Sequence, residues 1–270
     1  MEARSALVRR LLLSREDRCF RVSFIFVENT DIGARQLNED FGMAQTAMTS
    51  CGEACFAVIC DGVGGIHGDK ASKLVTAEME KWFQMFVQSD IIVDDIESQL
   101  NDLIDDINYD LIEMGQETNV KYGTTVSALL LINHQYFTFH IGDTRIYKFG
   151  DQLEQLTEDQ TMLAAKIKRG QITEQEAKER KEKHILLQCV GVNEPLEIEN
   201  QKGTYKPGDV FLLCSDGLYG TLNDGELWDI LEAVQESEYE EMQEVAQELI
   251  DSVKFRGEAD NITSIYIKVD

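Results

Sequence analysis

The chain is 270 residues long and 43% hydrophobic, and it sets 25 Lys and Arg against 50 Asp and Glu for a formal charge of −25. That apolar share can bury a sizeable core in one large domain or two small ones, which excludes an intrinsically disordered chain. A field of that sign repels nucleic acid and anionic membrane surfaces, so neither is an expected partner, and a phosphorylated ligand needs local positive charge to approach.

At the N-terminus Arg4, Arg9 and Arg10 flank Leu11-Leu12-Leu13, a run too short for a membrane span or a secretory core. Residues 1–20 read as a mobile leader and 21–270 as a single domain, since only Pro195 and Pro207 and no Ser/Gly/Pro-rich linker interrupt it. Strand-length apolar or alternating runs occupy 22–27, 54–60, 124–132, 135–141, 145–149, 209–214 and 261–269. Helical periodicity covers 69–88, 94–116, 224–235 and 239–255, where Trp82, Phe83, Phe86 and Trp228 fall at core spacing. Strands come in clusters separated by pairs of helices rather than alternating with single helices, which predicts an α+β fold of antiparallel sheets covered by helices. Asn133-His134 predicts a tight hairpin between two of the strands. Residues 157–190 stand apart as a flap-like insertion, because Glu174 to Lys183 is almost wholly polar and reads as a solvated helix or a flap beside a site. The acidic stretch with Glu236, Glu238, Glu240, Glu241 and Glu244 reads as a solvated helix face and its preceding loop.

The six cysteines, Cys19, Cys51, Cys55, Cys60, Cys189 and Cys214, show no Cys-x-x-Cys pairing of the zinc type. Cys60 and Cys214 sit inside apolar runs, as buried thiols of a reducing compartment do, so a cytoplasmic location is expected.

Four acids each end or begin a hydrophobic run beside a glycine or asparagine: Asp61, Asp143, Asp216 and Asp260. Carboxylates gathered at strand ends repel one another in a low-dielectric cleft and persist as anions where cations share the site. A polynuclear divalent-metal centre is therefore the first expectation. Asp61 leads into Gly62-Val63-Gly64-Gly65, whose spacing departs from Gly-x-Gly-x-x-Gly, and an acid there opposes a pyrophosphate, so a dinucleotide site is set aside. Upstream, Arg35 precedes the acidic pair Glu39-Asp40. Carboxylates to hold divalent ions and a guanidinium fork to bind phosphate oxygens together make a mechanism.

At this point the chain resembles the metal-dependent serine/threonine protein phosphatases of the protein phosphatase 2C type, particularly compact bacterial members. The likeness runs in order from about residue 24 to 269 through Gly33-Ala34-Arg35, Asn38-Glu39-Asp40, Asp61-Gly62-Val63-Gly64-Gly65, Gly123-Thr124-Thr125, Gly142-Asp143-Thr144-Arg145, Leu156-Thr157-Glu158-Asp159-Gln160, Cys214-Ser215-Asp216-Gly217-Leu218 and Asp260-Asn261-Ile262-Thr263. The resemblance implies an α-β-β-α sandwich of two antiparallel sheets flanked by helix pairs, with the site at one end. It implies two Mn²⁺ or Mg²⁺ ions bridged by Asp61, the Gly62 carbonyl on one of them and Asp216 and Asp260 on the other. Glu39 and Asp40 would lie near the second ion, and Asp143 would join Asp216 at a third. Arg35 would bind phosphate, Asn261 would orient Asp260, and a water or hydroxide between the ions would attack phosphorus. Substrates would be phosphoserine and phosphothreonine proteins, opposing a serine/threonine kinase, and the protein would act as a monomer.

Two departures from the family pattern affect expectation. Val63 stands where eukaryotic relatives carry a histidine proposed as general acid, and His67 is the nearest histidine. Residues 182–191 also differ from the bacterial pattern, which bears on substrate range. The competing reading is a catalytically silent regulatory or binding module on the same fold, disfavoured because Asp61, Asp216 and Asp260 are all retained. A cysteine phosphatase is excluded, since no Cys is followed six residues later by Arg.

Overall fold

The computed structural model of the protein describes residues 22–173, 176–177 and 185–270. Within them lie ten strands: β1 (Phe24–Asp31), β2 (Asp40–Thr49), β3 (Gly52–Asp61), β4 (Val126–Ile132), β5 (Gln135–Ile141), β6 (Arg145–Phe149), β7 (Leu153–Gln155), β8 (Glu199–Thr204), β9 (Val210–Cys214) and β10 (Ile262–Val269). The α-helices are α1 (Gly68–Phe86), α2 (Ile96–Thr118), α3 (Met162–Lys168), α4 (Asp216–Tyr219), α5 (Asp224–Glu236) and α6 (Tyr239–Phe255).

The strands form two five-stranded antiparallel sheets, ordered β1-β10-β9-β6-β7 and β2-β3-β4-β5-β8. Central strands are buried on both faces, which is why β4 and β9 read as unbroken apolar runs rather than alternating ones. Their two faces still do different work. In β3, Cys55, Ala57 and Ile59 point to the core between the sheets, where they share a cluster with Phe211, Leu213 and Ile267. Phe56, Val58 and Cys60, one residue out of phase, join Val75, Met79 and Phe83 of α1 and Leu100 and Ile104 of α2. On the other side Leu212 and Tyr266 pack under Leu227 and Leu231 of α5 and Met242, Leu249 and Ile250 of α6. The layers are thus helices, sheet, sheet, helices, the expected α-β-β-α sandwich. Each fully buried aliphatic side chain contributes about 1.5–3 kcal/mol to holding them together.

Local signals explain the boundaries. Asn223 and Glu226 form a reciprocal capping box that starts α5, and Asn119 ends α2 in the left-handed conformation. Asn133 and His134 both take positive φ, 50° and 60°, in the two-residue hairpin between β4 and β5. Phe83 and Phe86 are buried as their spacing predicts, Trp82 packs partly buried against the same cluster, and Trp228 meets Phe149 edge-on while remaining 36% exposed.

The periodicity did not reveal β2, β7 and β8, and it ended the first strand at residue 27 although β1 runs to Asp31. The three missed strands lie toward or at sheet edges and carry polar residues, as in Glu199-Asn200-Gln201-Lys202. The leader of residues 1–20 and all but residues 176–177 of the polar stretch 174–183 lie outside the described residues.

Antiparallel pairing brings the chemistry to one end. Asp61 at the end of β3 is opposite Asp40 at the start of β2, and Asp31 ends β1 opposite Ile262, which starts β10 just after Asp260-Asn261. Cys214, two residues before Asp216, is opposite both Arg145 and Ser264.

Candidate active site

A cleft of about 270 Å³ opens at that end of the sandwich, lined by Arg35, Glu39, Asp61, Gly62, Val63, Gly64, Thr125, Asp143, Leu186, Asp216, Asp260 and Asn261. Five of the lining residues are acids and one is a cation. The structure therefore brings Arg35, Glu39, Asp61, Gly62, Asp143, Asp216 and Asp260 together from both sheets. Asp40 lies immediately behind, only 4% exposed. His67 is not in the lining; it precedes α1 at φ 51°, with its ring tilted against Tyr122.

Asp61 is held through its backbone, leaving its carboxylate to the cleft. Its N–H donates to Thr125 Oγ1 (2.9 Å), and its carbonyl accepts from Thr125 N and Thr124 Oγ1, both at 2.9 Å. Through these contacts the hydroxyls of Thr124 and Thr125 satisfy backbone groups of Asp61. The chain continues into Gly62, where a Cβ would lie 2.4 Å from the Gly68 carbonyl carbon and 2.7 Å from the Glu39 oxygen. Only glycine lets the turn seat so close to both segments.

Asn261 joins three parts of the rim. Its Oδ1 accepts from Glu39 N (2.8 Å), its Nδ2 donates to the carbonyls of Ile32 (2.9 Å) and Leu37 (3.1 Å), and its own N–H donates to Asp260 Oδ1 (2.9 Å). Asp260 Oδ2 receives the guanidinium of Arg35 at 2.7 Å, an ion pair in which Arg35 is 53% exposed. On the opposite flank Tyr219 donates its hydroxyl to the Asp143 carbonyl (2.8 Å), and the Arg145 guanidinium stacks 3.7 Å from the Tyr219 ring while gripping Asp159 with two hydrogen bonds.

The acids act on one another. Burial raises Asp61 well above the usual carboxylate range, and the charges of Asp40, Asp216, Asp143 and Asp260 push it further. Asp40 is pushed up to about 6, again mainly by burial, with the hydroxyls of Ser215 and Thr263 opposing the rise. Among the described residues no three acidic, histidine or cysteine side chains close around one point. Like charges gathered this closely repel one another unless positive charge stands among them, and the Arg35 guanidinium supplies one such charge beside Asp260. The donors nevertheless suit hard divalent ions: the lining offers carboxylates and backbone carbonyls, and neither thiolate nor imidazole.

Sequence reasoning missed Ser215, Tyr219 and Leu186. Ser215 Oγ donates to Asp40 Oδ2 (2.8 Å) and accepts from Thr263 N (3.0 Å), so it is the donor that makes a buried carboxylate tolerable. The only signal was a hydroxyl between an apolar strand and an acid. Ser215→Ala strands that oxygen and is expected to lower unfolding free energy by about 1–3 kcal/mol, read from the urea midpoint in chelator.

Comparison with known proteins identifies the family and the fold. The model of the family described as protein phosphatase 2C matches residues 31–253. A protein phosphatase 2C-type relative from Streptococcus pyogenes is 31% identical over 240 residues, covering 87% of this chain and 93% of the relative. The solved serine/threonine phosphatase of S. agalactiae superposes with a TM-score of 0.80 at 28% identity, covering 92% of this chain and all of that one. The catalytic domain of the serine/threonine protein phosphatase PstP, solved with two manganese ions, gives a TM-score of 0.72 at 28% identity over 92% of this chain and 99% of that domain. With the fold, the order of its motifs and the acidic cleft in agreement, the chain belongs to the protein phosphatase 2C family.

Proposed function

We propose that the cleft hydrolyses phosphoserine and phosphothreonine esters with two Mn²⁺ or Mg²⁺ ions held by its own carboxylates. The class of reaction follows from the family: the chain is a metal-dependent serine/threonine protein phosphatase acting on phosphoproteins. The division of roles among the residues is what the family resemblance implies, and one observation supports it, the convergence of five acids and a guanidinium on one cleft. In this assignment Asp61, Asp216 and Asp260, with the Gly62 carbonyl, would hold the two ions, Asp61 being the ligand they would share. Glu39 serves near the second ion, with Asp40 behind it, and Asp143 with Asp216 offers a place for a third. When bound, the ions offset the carboxylate charge, polarise the phosphoryl oxygens and acidify a water molecule.

The chain's residues supply the rest. Arg35 presents guanidinium N–H groups at the mouth, a fork suited to two phosphoryl oxygens, and its tie to Asp260 keeps it at the acidic cluster. Val63 and Leu186 give the cleft apolar wall that limits water. Among the described residues the lining contains no cysteine, serine, lysine or histidine, and the hydroxyl of Thr125 is engaged with Asp61 N, which favours a solvent nucleophile over a covalent one.

The same reading takes residues 21–270 as one phosphatase domain with its insertion at about 157–190. It takes the protein as a cytoplasmic monomer that reverses a serine/threonine kinase in signalling. Free thiols at Cys51, Cys55, Cys60, Cys189 and Cys214 support a reducing compartment. Among the described residues no helix is long and apolar enough to cross a membrane.

Turnover of a phosphopeptide panel with Mn²⁺, Mg²⁺ or chelator tests the assignment. Phosphoserine and phosphothreonine peptides should be hydrolysed with either ion and not in chelator. Strong preference for phosphotyrosine, or undiminished turnover in chelator, would contradict it.

A further inference from the structure

Gln160 makes more connections than any role assigned so far requires. Its backbone N–H donates to the Gly142 carbonyl (2.7 Å), and its side-chain Oε1 accepts from Gly142 N (2.9 Å), so one residue engages both backbone groups of the glycine before Asp143. Its Nε2 donates to the Glu197 carbonyl (2.9 Å), and its own carbonyl accepts from Leu187 N (2.8 Å). The next pairs continue that seam: Thr161 bridges Leu186, and Met162 N donates to the Ile185 carbonyl at 2.8 Å. Leu186 and Asp143 both line the cleft. The Gly142 turn is itself rigidly seated, since its φ is 109° and a Cβ there would lie 2.5 Å from Thr125 Cγ2. The Gln160 backbone thus links the Leu186 wall to the turn before Asp143, and its side chain clamps that turn to the Glu197 segment.

From these contacts we infer that Gln160 is a positioning residue that holds the Gly142-Asp143 turn, by its side chain against the Glu197 segment and by its backbone against the Leu186 wall, and so sets the width of the cleft for the phosphorylated side chain of a protein substrate. The inference rests on the reading of the cleft as the phosphatase site. The chemistry of the amide is specific. The group must accept from an N–H on one side and donate to a carbonyl on the other, about 2.2 Å apart, which a carboxylate or a methyl cannot do. A neutral imidazole can, having one acceptor and one donor nitrogen at similar separation, whereas an imidazolium has two donors and loses the bond from Gly142.

Three variants test this: Gln160→Ala, Gln160→Glu and Gln160→His. At pH 8 Gln160→Ala and Gln160→Glu should raise KM for a phosphothreonine peptide about tenfold while kcat falls less than about threefold, the effect of losing the side-chain bonds to Gly142 and Glu197. Gln160→His should stay within about threefold of the parent KM at pH 8 and approach the Gln160→Ala value below pH 6, where the parent shows no such drift relative to it. Amide exchange at Gly142, followed by NMR in chelator, should accelerate in Gln160→Ala and Gln160→Glu and return to the parent rate in Gln160→His at pH 8. Parent-like KM and Gly142 exchange in Gln160→Ala and Gln160→Glu would overturn the inference, as would Gln160→His behaving like Gln160→Glu at pH 8. If the parent itself shows no metal-dependent turnover, the assignment of the cleft has failed, and the exchange measurement alone then decides whether Gln160 is the clamp.

Discussion

Asp61→Asn is expected to abolish metal-dependent hydrolysis, lowering kcat/KM for a phosphothreonine peptide by at least about 10³-fold while leaving the fold intact. The amide keeps the shape of the side chain, and the Thr124 and Thr125 contacts reach only the Asp61 backbone, so nothing in the local structure is undone. What disappears is a charge at the point where Asp40, Asp216, Asp143 and Asp260 all repel it. The same substitution should therefore make the metal-free protein more stable, by about 2–5 °C in Tm, because a buried charge in a crowd of like charges costs folding free energy. Added Mn²⁺ should raise the Tm of the parent and do so much less for the variant. Scanning calorimetry with chelator and with Mn²⁺, beside the kinetics, reads all three effects. Full turnover in Asp61→Asn would remove the carboxylate-held metal from the mechanism.

The second large effect is steric. Gly217, the second residue of α4, lies so close to β10 that a Cβ would fall 2.0 Å from the Asn261 carbonyl oxygen and 3.0 Å from its carbon. These are backbone atoms in a segment that also bonds Glu39, Ile32 and Leu37, so they cannot swing aside as a flexible side chain would. Gly217→Ala should cost more than about 3 kcal/mol, the range of overpacking against backbone with no room to relax, and should take metal-dependent turnover with it. Equilibrium urea unfolding in chelator measures the first and phosphopeptide hydrolysis the second. A midpoint within experimental error of the parent would mean that α4 can move away from β10 without penalty.

Much of this was legible in the sequence for identifiable reasons. The central strands announce themselves because burial on both faces makes them predominantly apolar, and α1 and α2 because Val75, Met79, Phe83 and Leu100, Ile104 repeat with the helical period. The cleft acids stood out because a carboxylate at the end of an apolar run is costly without a purpose. Ser215, Tyr219 and Leu186 were hidden because their importance lies in contacts between segments far apart in the chain: Ser215 reaches Asp40, and Tyr219 reaches Asp143. No period or spacing encodes such a meeting. Asp40 differs in another way. Read as half of an acidic pair with Glu39, it is separated from its neighbour by the pleat, since residue 40 begins β2 and is buried while Glu39 lines the cleft.

Two of the strands that escaped recognition, β7 and β8, share one property with a further effect. β8 ends its sheet with Glu199-Asn200-Gln201-Lys202-Gly203-Thr204, β7 ends the other with Glu154 at its middle, and the outer strand β1 places Glu28 and Asp31 along its length. A free strand edge is a template for another chain, and charge along it makes that pairing unfavourable. The polarity that obscures β7 and β8 in the sequence thus guards an edge of each sheet against growing by addition of foreign strands.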